Sequence, residues 1–116
     1  MQIVENLKVK EKVYIEKLEN GLTVMIIPKK GVQKKYVIWG TNYGSNDSVF
    51  VAPGETQPIE VPKGVAHFLE HKLFEQENGT NSLDTLTALG VNANAYTTND
   101  HTAYLYECTD NFYEAL

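Results

Sequence analysis

The feature that most limits how this chain can fold is a change of period at Pro62. Before it, apolar residues fall in short β-prone runs; from Lys63 onward they recur at helical spacing. Residues 13–18 and 22–27 read as strands, and Asn20-Gly21 between them is a strong local signal for a hairpin. Pro28 closes the second strand. Residues 35–43 read as a third strand, with Val37, Trp39 and Thr41 on one face and Tyr36, Ile38 and Gly40 on the other. Gly44-Ser45-Asn46-Asp47 reads as a turn, and a loop follows to Pro62.

The pattern from Lys63 to Glu75 predicts a helix, with Pro62 placed to open it and Asn78-Gly79 to end it. Ser82 is the expected cap of a second, short helix with Leu83, Leu86 and Leu89 inward and Gly90 as its stop. Residues 93–98 and 102–106 form a strand pair around Asn99-Asp100, and Asp110 reads as the N-cap of a helix that has barely begun at Leu116. Strands, then helices, then strands predict an α+β chain with a largely antiparallel sheet and helices packed on it. An ending inside an opening helix predicts that residues 1–116 are the N-terminal part of a longer domain.

Composition narrows the function classes. The chain is 42% hydrophobic and 22% charged, the balance of a soluble globular protein, and no apolar run approaches the roughly 20 residues of a membrane span. Residues 1–6 lack the basic and apolar regions of a secretory signal, so a cytoplasmic location is expected. The net charge is -5 and all ten basic residues are lysines, which removes bidentate arginine readout of phosphate or guanine. Neither nucleic acid nor membrane is therefore an expected partner. Lys29-Lys30 and Lys34-Lys35 read as a solvated loop. Cys108 is the one cysteine, which suits a reducing compartment. At the end of a strand-like run it reads as a small, inert residue rather than a nucleophile.

The segment that carries chemistry is His67-Phe68-Leu69-Glu70-His71. Each helical residue turns by about 100°, so His67 and His71 differ by only about 40° and point the same way one turn apart. Two imidazoles so placed can hold one Zn²⁺ at about 2.0–2.1 Å each. Glu70 lies about 60° to one side of His67, near enough to reach a water on the metal without ligating it. The arrangement mirrors the His-Glu-x-x-His zinc helix and matches the inverzincin order His-x-x-Glu-His. Zinc supplies Lewis acidity and an acidified water; Glu70 is the expected general base, taking a proton and passing it to the leaving amine. Solvated surface residues are the ordinary reading of such a trio. Against it, Val65, Phe68, Leu69, Leu73 and Phe74 flank the motif and imply a packed helix.

Residues 64–75, from Gly64 through His67, Glu70 and His71 to Glu75, closely resemble the active-site helix of the insulinase/pitrilysin family of zinc metallopeptidases, and in particular its bacterial processing-protease-like members. Asn20-Gly21-Leu22-Thr23-Val24 resembles the family's first hairpin, and Tyr43-Gly44-Ser45 the end of the strand before the catalytic region. Asn94-Ala95-Tyr96-Thr97 with Thr102-Ala103-Tyr104 resembles the strand pair after it, so the likeness covers the chain from about Tyr14. The resemblance implies two or more similar α+β units enclosing a chamber. It implies zinc held by His67, His71 and a later glutamate, with Glu70 catalytic. It also implies a substrate-binding edge at Asn94, Ala95 and Tyr96, where an extended peptide pairs through its backbone. An ordinary strand asparagine is the plain alternative for Asn94. The third ligand is expected beyond Leu116, so the fragment alone is expected to bind zinc weakly and to be inactive. His101 reads as a turn histidine with a metal role as the lesser alternative, Glu75 as too far along the helix, and Glu107 and Glu114 as unsupported.

Two other readings compete with the peptidase of oligopeptides or unfolded precursor segments. One is a non-catalytic, peptide-binding partner half of a processing-peptidase-like complex, in which the motif would usually be degraded; here all three motif residues stand. The other is a structural metal domain. The remaining domains of the same protein, and a homologous subunit in a dimer, are the expected partners besides the peptide.

Overall fold

The structure is a computed structural model that describes all 116 residues, Met1–Leu116. It divides into two compact units, Met1–Val32 and Gln33–Leu116. The first is an antiparallel meander of β1 (Gln2–Asn6), β2 (Glu11–Lys17) and β3 (Thr23–Ile26), in that spatial order. The strand β1 was not legible in the sequence: it is five residues long, exposed throughout, and joined to β2 by a turn in which the Asn6 side chain accepts from the Lys8 amide at 3.0 Å. The hairpin at Asn20-Gly21 is present, though its loop is three residues. Leu18 donates its amide to the Leu22 carbonyl at 2.8 Å, and Glu19, Asn20 and Gly21 lie between.

The second unit is built on β4 (Lys35–Thr41), β7 (Asn92–Thr97) and β8 (Thr102–Cys108), in the order β4-β8-β7 and antiparallel throughout. Directly opposed residues share a face. The register therefore puts Val37, Trp39 and Thr41 with Tyr106, Tyr104 and Thr102, and with Ala93, Ala95 and Thr97, on one side. Helices α1 (Val65–Lys72) and α2 (Ser82–Ala88) pack on the strands β7 and β8. The core sits there: Val91, Tyr106 and Cys108 are buried, with Val37, Leu86, Leu89, Ala93, Phe112 and Ala115 against them. Cys108 is a free, buried thiol, as its place in the strand predicts. The α+β antiparallel class is thus the one expected, in the form of two three-stranded sheets and a small ribbon of β5 (Val49–Phe50) and β6 (Ile59–Glu60) inside the segment read as loop.

Element limits differ from the sequence reading at the helices. α1 starts at Val65 rather than Lys63, because Gly64, at φ 93°, is its N-cap. It ends at Lys72, and Asn78-Gly79 instead forms the turn by which Gln76 donates its amide to Thr80 at 2.9 Å. The cap of α2 is Asn81, not Ser82: its side chain accepts from the Leu83 amide at 2.8 Å. Asn111, not Asp110, caps the four-residue α3 (Phe112–Ala115). The flanking apolar residues of α1 also differ. Phe68, Leu69 and Leu73 are exposed, and the buried ridge is Ala66 and Glu70.

One glycine is fixed by a close approach. A Cβ on Gly44 would lie 2.5 Å from the Asp100 amide nitrogen and 2.6 Å from the Asn99 carbonyl. The loop after β4 docks there against the β7–β8 turn: Ser45 and Asn46 donate their amides to the Thr98 and Asn99 carbonyls, both at 2.9 Å. The neighbouring Tyr43 carbonyl accepts from the Thr102 hydroxyl at 2.8 Å.

Candidate metal and catalytic site

The site rests on two neighbouring ridges of α1. Side chains four apart stack along one face of a helix. Ala66 and Glu70 form the ridge turned to the sheet, and Glu70 is only 7% exposed. His67 and His71 form the next ridge and are exposed. Their Nε2 atoms lie 3.0 Å apart and their ring centroids 4.8 Å. Ligand atoms of His67, Glu70 and His71 all lie within 4.8 Å of one another, the one group of three or more such side chains in the chain that could share an ion.

The donor set fits zinc. Neutral imidazole nitrogens are borderline-soft ligands, and two of them on a tetrahedral centre at about 2.0–2.1 Å would be about 3.4 Å apart. The observed 3.0 Å needs an opening of only a few tenths of an ångström. The Glu70 carboxylate lies beside them, on the buried side.

Glu70 is tied to the sheet. Its Oε2 accepts from the Thr97 hydroxyl at 2.5 Å. Thr97 on β7 is directly opposite Thr102 on β8, and their hydroxyl oxygens are 3.3 Å apart. Thr102, 2% exposed, donates to the Tyr43 carbonyl at 2.8 Å. Burial pushes the nearby Tyr104 phenol above its ordinary value, and the Glu70 charge adds to the effect. The carboxylate therefore faces a poorly solvated sheet surface on one side and the two histidines on the other. A shallow groove along α1, lined by Asn42, Tyr43, Asp47, Phe50, Val65 and Leu69, includes none of the three motif residues.

The other sequence candidates separate. Asn94, Ala95 and Tyr96 lie on β7, which pairs only with β8, so the outer edge of that strand is unpaired in the sheet. Asn94 and Tyr96 are exposed, Ala95 is half-buried opposite Tyr104, and the Asn94 side chain accepts from the Ala95 amide at 2.9 Å. His101 belongs to the turn: its Nδ1 is 2.7 Å from Asp100 Oδ1 and 2.8 Å from Thr98 Oγ1. The hydrogen bond from His101, and then that from Thr98, hold the Asp100 carboxyl below its usual range. Glu75 pairs with Lys72 at 2.5 Å, and Glu107 with Lys34 at 3.1 Å. Sequence reasoning missed Thr97 and Thr102 as parts of the site. The available signal was two threonines flanking one turn, on the strand-pair face that should be apolar.

The chain is similar to known proteins over most of its length. Residues 42–116 match the insulinase family, peptidase family M16. The uncharacterized zinc protease YmfH of Bacillus subtilis (strain 168) is 45% identical over 108 residues, 93% of this chain and 25% of that protein. Insulin-degrading enzyme-like 2 of Arabidopsis thaliana is 35% identical over 104 residues, 85% of this chain and 10% of that protein. The crystal structure of an M16-like peptidase from Alicyclobacillus acidocaldarius superimposes with a TM-score of 0.81 at 36% identity, covering 97% of this chain and 25% of that one. The chain spans about a quarter or less of the length of these relatives. With a family match over residues 42–116 and the His67, Glu70, His71 cluster inside it, the chain belongs to the insulinase family of peptidases, family M16.

Proposed function

We propose that this chain carries the zinc-binding helix of an endopeptidase that cleaves oligopeptides or unfolded precursor segments. The observation that carries the reading is the 3.0 Å approach of the His67 and His71 Nε2 atoms with the Glu70 carboxylate on the adjoining ridge. His67 and His71 hold the metal, which supplies Lewis acidity toward the scissile carbonyl and an acidified water. Glu70 takes the proton from the attacking water and delivers it to the leaving amine. The outer edge of β7 at Asn94, Ala95 and Tyr96 takes the substrate as an added strand, with the Asn94 carboxamide giving up the Ala95 amide to the peptide.

Catalytic zinc generally has three protein ligands, and the third on this reading is a carboxylate from elsewhere in the full-length protein. Residues 1–116 are then the N-terminal part of the catalytic domain. Alone they bind zinc weakly and do not turn over substrate. The buried free thiol of Cys108 suits work in a reducing compartment such as the cytoplasm. The intact motif favours this reading over a non-catalytic partner half.

The test is Glu70→Gln in the full-length protein. Hydrolysis of an unstructured peptide should fall by about 10²–10⁴-fold, the range a positioned acid–base group supplies. Zinc content by metal analysis should be unchanged, whereas His67→Ala should lose the metal. Turnover that survives Glu70→Gln would sink the assignment.

A further inference from the structure

We propose that Thr97 is a positioning residue for Glu70; this rests on the reading of Glu70 as the general base. The argument is a count of protons. Thr102 has one hydroxyl proton and two neighbours, the Tyr43 carbonyl at 2.8 Å and the Thr97 oxygen at 3.3 Å. The carbonyl is nearer and can only accept, so it takes that proton. Thr97 likewise has one proton, with the Glu70 carboxylate at 2.5 Å and the Thr102 oxygen at 3.3 Å. An ionised carboxylate cannot donate, so the Thr97 proton goes to Glu70.

The result holds one oxygen of the base and leaves the other for the reaction. Oε2 is anchored to β7 through the Thr97 hydroxyl, while the Thr102 proton is held by the Tyr43 carbonyl. A glutamate has three rotatable side-chain bonds, and its own helix fixes only the first part of its path. β-Branched Thr97 in a strand has a stiff χ1, so its hydroxyl is a fixed point rather than a roaming partner. The base is therefore located by the sheet as well as by α1.

The experiment compares Thr97→Val, Thr97→Ser and Glu70→Gln in the full-length protein. Thr97→Val keeps the shape and removes the hydroxyl. It should lower kcat for peptide hydrolysis on the order of 10–100-fold, as a small misplacement of a catalytic group can. KM should stay within about twofold and zinc content should not change. Thr97→Ser should restore most of kcat. A second readout needs no metal: in the zinc-free protein, the thermal-midpoint shifts of Thr97→Val and Glu70→Leu should be non-additive, since they remove two ends of one contact. Normal kcat in Thr97→Val, a loss seen only in KM, no rescue by serine, or additive midpoints would each overturn the proposal. Turnover surviving in Glu70→Gln would remove the base assignment itself, whereas loss in Glu70→Gln with normal kcat in Thr97→Val would remove only the positioning role.

Discussion

The two longer helices of this chain solve the same problem differently. α2 carries its own limits in its sequence. Asn81 caps it, Asp84 lies in its first turn, and its C-terminus closes with Val91 donating to the Leu86 carbonyl and Gly90 to that of Thr87. Its inward residues Leu86 and Leu89 pack on the buried cluster. α1 has no side-chain cap and no acidic residue in its first turn, and its buried positions are Ala66 and Glu70. One helix is stabilised by its apolar face; the other turns a carboxylate to the sheet and leaves Phe68 64% exposed. On the proposed function, α1 gives up to its carboxylate an inward position that an apolar side chain would otherwise use to stabilise the helix.

The largest effects should separate those two roles. Leu86→Ala should destabilise the protein by about 2 kcal/mol, a partly buried leucine losing its packing against Val91 and Tyr106. Glu70→Leu should not do what its burial suggests. Burying a carboxylate costs free energy that an apolar side chain does not, so the replacement should change stability little, while peptide hydrolysis by the full-length protein should disappear. The released Thr97 proton has the Thr102 oxygen at 3.3 Å to turn to. Thermal unfolding of both variants, zinc-free, checks the pair. Strong destabilisation by Glu70→Leu would mean that Glu70 is structural, and the contrast between the helices would fail.

The helix starts provide a smaller and more local comparison. Asn81→Ala should cost about 1 kcal/mol, because the Leu83 amide loses its acceptor, and aspartate or serine at 81 should recover most of it. Gly64→Ala should cost about 1–2 kcal/mol for a different reason. Space around the new Cβ is free, but φ is +93°, where an L side chain is strained. Asparagine at 64 should be the mildest replacement, since it tolerates the left-handed region, and serine should not help. Equal rescue by serine at both positions, measured by thermal unfolding, would show that α1 is capped like α2 after all.

How much of this was legible follows the same division. The hairpin, the strand pair, α2 with its inward leucines and the motif on α1 were all readable, because each is written in local chemistry: Asn-Gly, alternation, a terminal glycine, four-residue spacing. The limits of α1 were not. Pro62 is a good opener, yet the cap is a glycine in a conformation that no pattern announces. Nor was its buried face legible, since Phe68 and Leu73 outrank Ala66 and Glu70 on any hydrophobicity scale. The histidine pair was readable as spacing, whereas the Thr97 and Thr102 hydroxyls behind Glu70 depend on strand register and on the Gly44 approach, which are tertiary facts. β1 escaped because five exposed residues have no buried face to leave an alternation.

The smallest effect concerns the helix dipoles, and it sharpens the contrast through salt. α2 places Asp84 in its first turn, near the positive end; α1 has no acid there but ends on His71 and Lys72, near the negative end. Asp84→Asn should therefore cost a few tenths of a kcal/mol at low ionic strength, the lower part of the range for an exposed charge at a helix terminus. The cost should shrink as salt rises toward 1 M, where the screening length falls to about 3 Å. The Asn81 cap penalty should persist in the same salt, because it is a hydrogen bond rather than a charge–dipole effect. Lys72→Gln is a poorer probe of α1, since Lys72 also pairs with Glu75 at 2.5 Å and its loss removes two interactions together. An Asp84→Asn penalty that holds at high salt would mean that Asp84 acts through a contact of its own. Part of what looks locally encoded in α2 would then be tertiary, as it already is in α1.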